Sequence, residues 1–187
     1  MVTVPAPGTD AVPGSSPPGV VAVGAGPGDS LASQATGSSL CVLTADCAPL
    51  ALGSEEGVFA AVHAGWRGIL AGVVEATVAT MRSMGAGQVV GSLGPCIHPE
   101  CYEFSEVDLA ALAIAYGDGV RGATSDGRPA LDLPAAVSAA LSAAGAIETV
   151  GVDACTACST AYFSHRGRRD MGRQALVVWS QGRSVPR

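Results

Sequence analysis

The stretch TADCAPLALGSEEGVFAAVHAGWRG, residues 44–68, decides the fold that we expect for this chain. Two short apolar runs, residues 48–52 and 58–62, are separated by an acidic segment with a glycine at each end. Apolar runs joined by such a short loop predict a β-hairpin. If the residues between the runs form the loop, counting outward pairs Cys47 with His63, with β-carbons about 5 Å apart.

A thiol and an imidazole at that distance can share one metal ion or form a catalytic pair. The alternative is structural, because free cysteine is often buried: Cys47 would fill the core and His63 would only end a strand. Pro49 weakens the predicted pairing, since proline donates no ladder hydrogen bond and requires a sheet edge or a bulge.

The residues HAGWRG, 63–68, predict a strand-to-helix turn bounded by Gly65 and Gly68. The amides at the start of a helix, together with Arg67, favour an anion such as phosphate. Trp66 would stack on a planar base or pack over the turn. The plainer alternative is a tight turn with a solvated arginine.

Outside this stretch, the pattern predicts further strands and three helices. Apolar runs predict strands at residues 40–43, 89–93, 149–152 and 176–179. Helical periodicity predicts helices over residues 68–84, 106–116 and 133–144. Gly85 is the expected stop of the first helix, and Asp132 is the expected N-cap of the third. We therefore expect a single domain with a mixed α/β or α+β fold.

Residues 1–38 are rich in glycine, proline, serine and alanine and show no sustained periodicity. We expect this segment to be poorly ordered, apart from one short strand at residues 20–23. The packed domain is predicted to cover residues 39–187.

The composition excludes several classes of protein. The chain has 187 residues, of which 48% are hydrophobic and 14% charged, with a net charge of −6. These values argue against a disordered chain and against a polybasic nucleic-acid binder. Prolines interrupt the long uncharged segments, and no secretory signal pattern is present, so we expect a cytoplasmic protein that does not cross a membrane. The six cysteines then indicate thiols, metal ligands or catalysis more than a disulfide framework.

Two later segments are dense in side chains that carry chemistry. GPCIHPECYEF, residues 94–104, includes Cys96 and follows a predicted strand, where binding sites often lie. The single CxxC motif CTAC, residues 155–158, is weak evidence for structural zinc. Arg166 and Arg173 would bind anions or pair with nearby acidic side chains. For residues 94–104, the structural alternative is a loop braced by prolines in which the thiols are buried.

Taken together, TADCAPL, HAGWRG, GPCIHPECYEF, CTAC with YFSHR, and GRQA occur in an order that resembles the YfiH-like family. This is also called the laccase-domain or multicopper polyphenol oxidoreductase family, and it includes peptidoglycan editing factors. The resemblance covers roughly residues 28–179. It implies an α+β fold with several coiled β-sheets and surrounding helices. It also implies phosphorolysis of purine nucleosides, with adenosine deamination at the same site.

The resemblance also implies site residues. Cys47 and His63 resemble two of the family's three zinc ligands, and Asp46 and Arg67 resemble polar residues of the same pocket, so these four are the predicted catalytic residues. The predicted substrate-binding residues are Gly65, Trp66, Gly68, Cys96, Arg166 and Arg173. The family's third zinc ligand is a histidine upstream of TADC, and this chain has no histidine before His63. We therefore expect a weak or incomplete zinc site, with copper less favoured, in a laccase domain truncated at its N-terminus.

Other functions stay open at this stage. The expected substrates are a purine nucleoside and phosphate, with no nucleic acid and no membrane as partner. The pattern does not choose between phosphorolysis and deamination, and it does not set the oligomeric state. The alternatives are a catalytically silent member or peptidoglycan-editing protein, a metal-independent cysteine hydrolase with Cys47 activated by His63, and a copper polyphenol oxidase.

Overall fold

A computed structural model gives the fold and describes residues 2–4 and 28–180. The strands in these residues are β1 (Val2–Val4), β2 (Ser30–Ser33), β3 (Ser39–Thr44), β4 (Ala48–Ser54), β5 (Phe59–Ala64), β6 (Val89–Leu93), β7 (Arg121–Ala123), β8 (Pro129–Leu131), β9 (Ile147–Thr149) and β10 (Gln174–Trp179). The helices are α1 (Trp66–Leu70), α2 (Val73–Ser83), α3 (Glu106–Tyr116), α4 (Leu133–Ala143) and α5 (His165–Arg168).

Six of the strands form a central sheet in the order β1-β2-β5-β4-β6-β9. β6 and β9 are parallel, and the other neighbours are antiparallel. β3 pairs with β10 and β7 pairs with β8 in two further antiparallel sheets. The expected α+β fold with several sheets and surrounding helices is confirmed. The predicted strand at residues 20–23 lies outside the described residues.

Two of the three predicted helices form as expected. α3 begins after Ser105, whose hydroxyl accepts a hydrogen bond from the amide of Asp108. α4 begins after Asp132, whose carboxylate accepts from the amide of Ala135 at 2.9 Å. Such caps satisfy amides that the first helical turn leaves unpaired. The prediction of one helix over 68–84 was wrong, because Gly72, with a positive φ of 79°, separates α1 from α2.

The hairpin forms, but its predicted register was wrong by two residues. Leu52 pairs with Ala60, and Pro49 pairs with His63. The difference arises because β4 continues to Ser54, whose amide donates to the carbonyl of Val58, so that the loop is shorter than expected. A shift of two residues keeps every side chain on the same face of the sheet.

Pro49 fits this register without disturbing the sheet. The amide of His63 donates to the carbonyl of Asp29 at 2.7 Å, which lies on the other side of β5. The pairing of β4 with β6 begins at Leu50, and Pro49 lies at its end, where its carbonyl accepts from the amide of Gly94. Proline therefore occupies a position that needs no amide donor.

The packed structure begins before residue 39. β2 lies within the segment 1–38 that the sequence predicts to be poorly ordered, yet it pairs with β5. Ser30 is fully buried, and its hydroxyl accepts a hydrogen bond from Thr77 of α2 at 2.8 Å. The strand is too short and too polar to stand out as an apolar run.

The main core lies between the central sheet and the helices α2 and α4. Its largest fully buried side chains include Leu50 and Leu52 of β4, Met81 of α2 and Leu141 of α4. Each such side chain contributes about 1.5–3 kcal/mol through burial. Among the described residues, no helix is long and apolar enough to cross a bilayer.

Candidate active site

The thiol of Cys47 and the imidazole of His63 share one face of the central sheet. In the observed register, Cys47 precedes β4 and lies diagonally across from His63 rather than directly opposite. The position opposite Cys47 belongs to Gly65. A β-carbon there would lie 3.1 Å from Cys47 Sγ and 3.6 Å from His63 Cε1. The absence of a side chain at Gly65 therefore leaves room for the thiol beside the imidazole.

Asp29 fixes the orientation of His63. Its Oδ1 lies 3.0 Å from His63 Nδ1. The imidazole also interacts with the thiol of Cys47. The imidazole is half-buried, with 32% of the side chain exposed. The three groups therefore form a thiol–imidazole–carboxylate arrangement.

The pKa of His63 is raised from 6.5 to about 9. Hydrogen bonding to Cys47 is the largest cause, burial acts in the opposite direction, and the charges of Cys47 and Asp29 add to the increase. In the metal-free protein the imidazole is therefore mostly protonated at neutral pH.

Asp46 connects the TADC turn to three distant segments. It is 7% exposed. Its Oδ1 accepts from Thr156 Oγ1 at 2.7 Å, and its Oδ2 accepts from the amide of Arg166 at 2.6 Å. Its carbonyl accepts from the amide of Ile97 at 2.9 Å, and its φ of 86° falls in the left-handed region that aspartate tolerates. Both carboxylate oxygens are occupied, which suits a positioning role.

A pocket of about 420 Å³ opens beside Asp46 and Cys47. Its lining residues are Ala45, Asp46, Cys47, Tyr102, His165, Arg166 and Arg169. The Arg166 guanidinium lies 5.3 Å from the centre of the Tyr102 ring. Burial raises the pKa of Tyr102 to about 12, so that its hydroxyl stays neutral. The pocket therefore combines a thiol, a neutral phenol and two arginines.

The turn after β5 places Trp66 and Arg67 together. The exposed Arg67 guanidinium lies 4.2 Å from the centre of the Trp66 ring, and Trp66 meets Phe104 edge-on at 5.2 Å. Gly68 lies close to Asp29, since a β-carbon there would be 3.6 Å from its Oδ2. Trp66 packs against the core, as the structural alternative predicts.

Of the six predicted substrate-binding residues, Arg166 lines this pocket. Gly65, Trp66 and Gly68 follow His63 and are not part of the pocket lining, and Cys96 and Arg173 also lie away from it. Cys96 is 1% exposed, within the main core. Arg173 donates to three backbone carbonyls of its own turn, those of residues 170, 171 and 172. A larger concavity of about 780 Å³ lies beside the hairpin loop and Trp179, and none of the predicted site residues lines it.

The sequence profile described as multi-copper polyphenol oxidoreductase laccase matches residues 11–181. The chain belongs to this laccase family. Among similar proteins, the purine nucleoside phosphorylase of Streptomyces coelicolor is 39% identical over 154 residues, which cover 81% of this chain and 63% of that protein. The purine nucleoside phosphorylase of Xylella fastidiosa (strain Temecula1) is 38% identical over 161 residues, covering 81% and 60%.

Two solved structures share the fold. Neisseria meningitidis protein NMB0706 superposes with a TM-score of 0.75 at 26% identity, covering 83% of this chain and 66% of that one. YlmD from Geobacillus stearothermophilus superposes with a TM-score of 0.74 at 31% identity, covering 83% and 62%. The chain therefore spans less than two thirds of the length of each of these relatives.

Cys47 and His63, the two zinc ligands that the family resemblance implies, would supply only part of a catalytic zinc site. Such a site takes three protein ligands and keeps one open position. Asp29 contacts Nδ1 of His63, and a carboxylate at the second ring nitrogen is also common for a metal-bound histidine. Within the described part of the chain, however, the group of three or more ligand atoms that could hold one ion lies elsewhere, at Glu100, Cys101, Cys155 and Cys158. Cys47 and His63 therefore do not by themselves complete a catalytic metal site.

The three histidines of this laccase-family chain lie apart. His63 is the next-to-last residue of β5, His98 approaches Glu100 and Asp153, and His165 begins α5. Imidazole is a ligand that suits copper as well as zinc, and these three side chains do not come together to form such a site.

Several site residues were missing from the sequence prediction. They are Asp29, Tyr102, Thr156, His165 and Arg169. All but Arg169 lie in segments that resemble the family, namely GDS, ECYEF, CTAC and FSHR. Their roles depend on contacts between segments far apart in sequence, which periodicity does not reveal.

Proposed function

We propose that the chain is a purine nucleoside phosphorylase that works in the pocket beside Asp46 and Cys47. The observation that carries this proposal is the convergence of Arg166, Arg169 and His165 on the pocket that contains Cys47. Similar proteins that are 38 and 39% identical to this chain are named purine nucleoside phosphorylases, which supports the same substrate class here.

The cationic side of the pocket suits phosphate. Guanidinium groups bind phosphate through paired hydrogen bonds and by charge. The carboxylate of Asp46 accepts a hydrogen bond from the amide of Arg166 at 2.6 Å. This bond would fix the backbone position from which the Arg166 side chain extends. Arg67, exposed over Trp66, would add a further positive charge at the side of His63.

The other wall of the pocket would receive the nucleoside. Tyr102 offers a neutral hydroxyl, because burial raises its pKa to about 12. In phosphorolysis a phosphate oxygen forms a bond to the anomeric carbon of ribose, and the bond from that carbon to the base breaks. The electron pair goes to the base, which takes up a proton. The pair Cys47 and His63 would supply the acid–base group at this end of the pocket.

The test is an assay of the full chain with inosine or adenosine and phosphate, with and without added zinc. We expect the free base to form only when phosphate is present. Arg166→Ala should lower kcat/KM by about 100-fold, as the loss of one charged contact in the transition state predicts. The control is Arg121→Gln, because Arg121 pairs with Glu106 and Asp118 on the exposed surface.

Two results would count against phosphorolysis. Conversion of adenosine to inosine without phosphate would show that the activity is deamination and not phosphorolysis. Absence of any product under all conditions would favour a catalytically silent protein or an interaction role.

We expect Cys47 and His63 to bind zinc only weakly, because two ligands are fewer than the three that a catalytic zinc site usually has.

A second candidate, a cysteine hydrolase, is favoured by one observation. Asp29 orients His63 beside Cys47, as a third group orients the base in nucleophilic sites. Rapid alkylation of Cys47 by iodoacetamide, unaffected by zinc, would support it. The matched control is the exposed thiol of Cys41. If Cys47 reacts no faster than Cys41, the cysteine-hydrolase hypothesis is wrong.

A further inference from the structure

Four potential metal ligands from two distant segments meet on one side of the molecule. Glu100 and Cys101 belong to a short 3₁₀ turn, and Cys155 and Cys158 begin and end the CTAC turn. One ligand atom from each of these residues lies within 4.8 Å of the other three. We call these four residues the Glu–Cys₃ cluster.

The spacing within the Glu–Cys₃ cluster is within about half an ångström of that around one tetrahedral zinc ion. The sulfur atoms of Cys101 and Cys158 are 3.3 Å apart, and Cys158 Sγ is 3.5 Å from Glu100 Oε1. Around zinc, with a metal–sulfur distance near 2.3 Å, tetrahedral geometry puts neighbouring sulfur atoms about 3.8 Å apart. A small adjustment of side chains would place all four atoms around one ion.

The backbone around the cluster is held in place independently of any ion. The amide of Thr156 donates to the carbonyl of Cys96 at 3.0 Å, which joins the two segments. Arg168 donates to the carbonyl of Ala157 at 2.9 Å and to that of Thr156 at 3.3 Å. Contacts that involve no metal therefore hold the CTAC turn against the neighbouring segments.

A second set of contacts reaches the ligand atoms themselves. The amide of His98 lies 3.4 Å from Cys155 Sγ and donates to it. His98 Nδ1 lies 4.0 Å from Glu100 Oε1. Hydrogen bonds to the ligands of a metal are a regular feature of such sites, because they orient the ligands.

The cluster is also accessible. Glu100 and Cys101 line an open concavity of about 580 Å³, and Cys158 is exposed while Cys155 is buried. A metal ion could reach the cluster from this exposed side, and Cys155 would bind it on the buried side.

We propose that Glu100, Cys101, Cys155 and Cys158 bind one zinc ion, at a site separate from Cys47 and His63. Structural zinc is held by four protein ligands, most often cysteine and histidine, and a carboxylate oxygen can also bind zinc. The three thiolates of this set favour zinc over harder cations. The three thiols release their protons to solvent as zinc binds. No electron transfer is involved.

The zinc ion would stabilise the wall of the active-site pocket. Cys101 precedes Tyr102, which lines that pocket. Cys155 precedes Thr156, whose hydroxyl donates to Asp46. An ion that joins the two turns therefore fixes Tyr102 and Asp46 relative to each other.

The test measures zinc in the full chain, purified with a reductant and then dialysed against a mild chelator. We expect one zinc per chain in the wild type. Cys101→Ser and Cys158→Ser should each weaken zinc binding by at least about tenfold, because each removes one ligand. The controls are Cys41→Ser, at an exposed thiol of β3, and Cys47→Ser. Both should keep the zinc.

Glu100→Gln and cobalt titration keep the test independent of misfolding. Glu100 is partly exposed, so that its substitution should leave the fold intact and lower zinc affinity. Cobalt added to the metal-free wild type should give a strong thiolate-to-cobalt absorption, which Cys158→Ser reduces and Cys41→Ser does not.

Three results would overturn the proposal. The first is wild-type protein that holds no zinc after zinc is supplied in the presence of reductant. The second is zinc that is lost in Cys47→Ser but kept in Cys158→Ser. The third is a disulfide between Cys101 and Cys158 in reductant-treated protein, since those sulfur atoms would then be unable to bind the ion.

Discussion

At the scale of single residues, Gly65 decides how close Cys47 comes to His63. A β-carbon at Gly65 would lie 3.1 Å from Cys47 Sγ, a distance at which the thiol must move. The backbone at Gly65 is extended, with φ −77° and ψ 158°, so alanine fits it without strain. The glycine is therefore required for space and not for conformation.

Gly65→Ala should lower the pKa of His63 from about 9 toward its ordinary value, because hydrogen bonding to Cys47 is the largest cause of the increase. NMR titration of His63 in metal-free protein measures this pKa. Gly53→Ala is the matched control, since a β-carbon there meets no atom within 4 Å. An unchanged pKa in Gly65→Ala would contradict the close approach of the two side chains.

His63 should also make stability depend on pH. Its pKa is about 9 in the folded protein against 6.5 ordinarily, so the folded state binds its proton more tightly. The stabilisation is complete below pH 6.5 and is lost as the pH rises through about 9. Urea unfolding of metal-free protein should show the wild type losing its advantage over His63→Gln across this range. A difference that is constant with pH would contradict the pKa.

At the scale of elements, Tyr116 at the end of α3 connects two other helices. Its hydroxyl lies 2.7 Å from the carbonyl of Ile69 in α1 and 2.9 Å from Glu75 Oε1 in α2. These are the two helices that Gly72 separates. The contact therefore fixes α1 relative to α2 just after the turn that carries Trp66 and Arg67.

Tyr116→Phe should lower the free energy of unfolding by about 1–3 kcal/mol, since it leaves a half-buried carboxylate without its donor. Thermal or urea unfolding measures the change. Tyr162→Phe is the control, because the hydroxyl of Tyr162 has no hydrogen bond among the described residues; we expect less than about 0.5 kcal/mol there. Equal losses in the two variants would show that the contact at Tyr116 does not stabilise the fold.

The elements show what the sequence can predict. α3 forms where periodicity places it, and α4 forms where periodicity and its cap Asp132 place it, because both signals are local. The hairpin register depends on where the loop closes. Because the pairing continues to Ser54, the residue opposite His63 is Pro49 and not Cys47, two positions from the prediction. The Glu–Cys₃ cluster joins residues 57 positions apart, and a single CxxC gives no indication of the second pair of ligands.

At the scale of the whole molecule, the site is assembled from segments that are remote in sequence. Asp46 connects its own turn to Ile97, Thr156 and Arg166. The family resemblance indicated Asp46 and Arg166, but only the fold brings them into contact. Tyr102 and Arg169 complete the pocket, and periodicity carries no information about either. The TADC and HAGWRG motifs could therefore be singled out in the sequence, whereas the residues that form the wall of the pocket could not.

We propose that this pocket transfers the ribosyl group of a purine nucleoside to phosphate. The most direct measurement is the incorporation of ³²P-labelled phosphate into ribose 1-phosphate, with inosine as the substrate and the full chain as catalyst. We predict one labelled sugar phosphate for each hypoxanthine released, and loss of both products in Arg166→Ala but not in Arg121→Gln. Release of hypoxanthine without label, or no release at all, would contradict the claim.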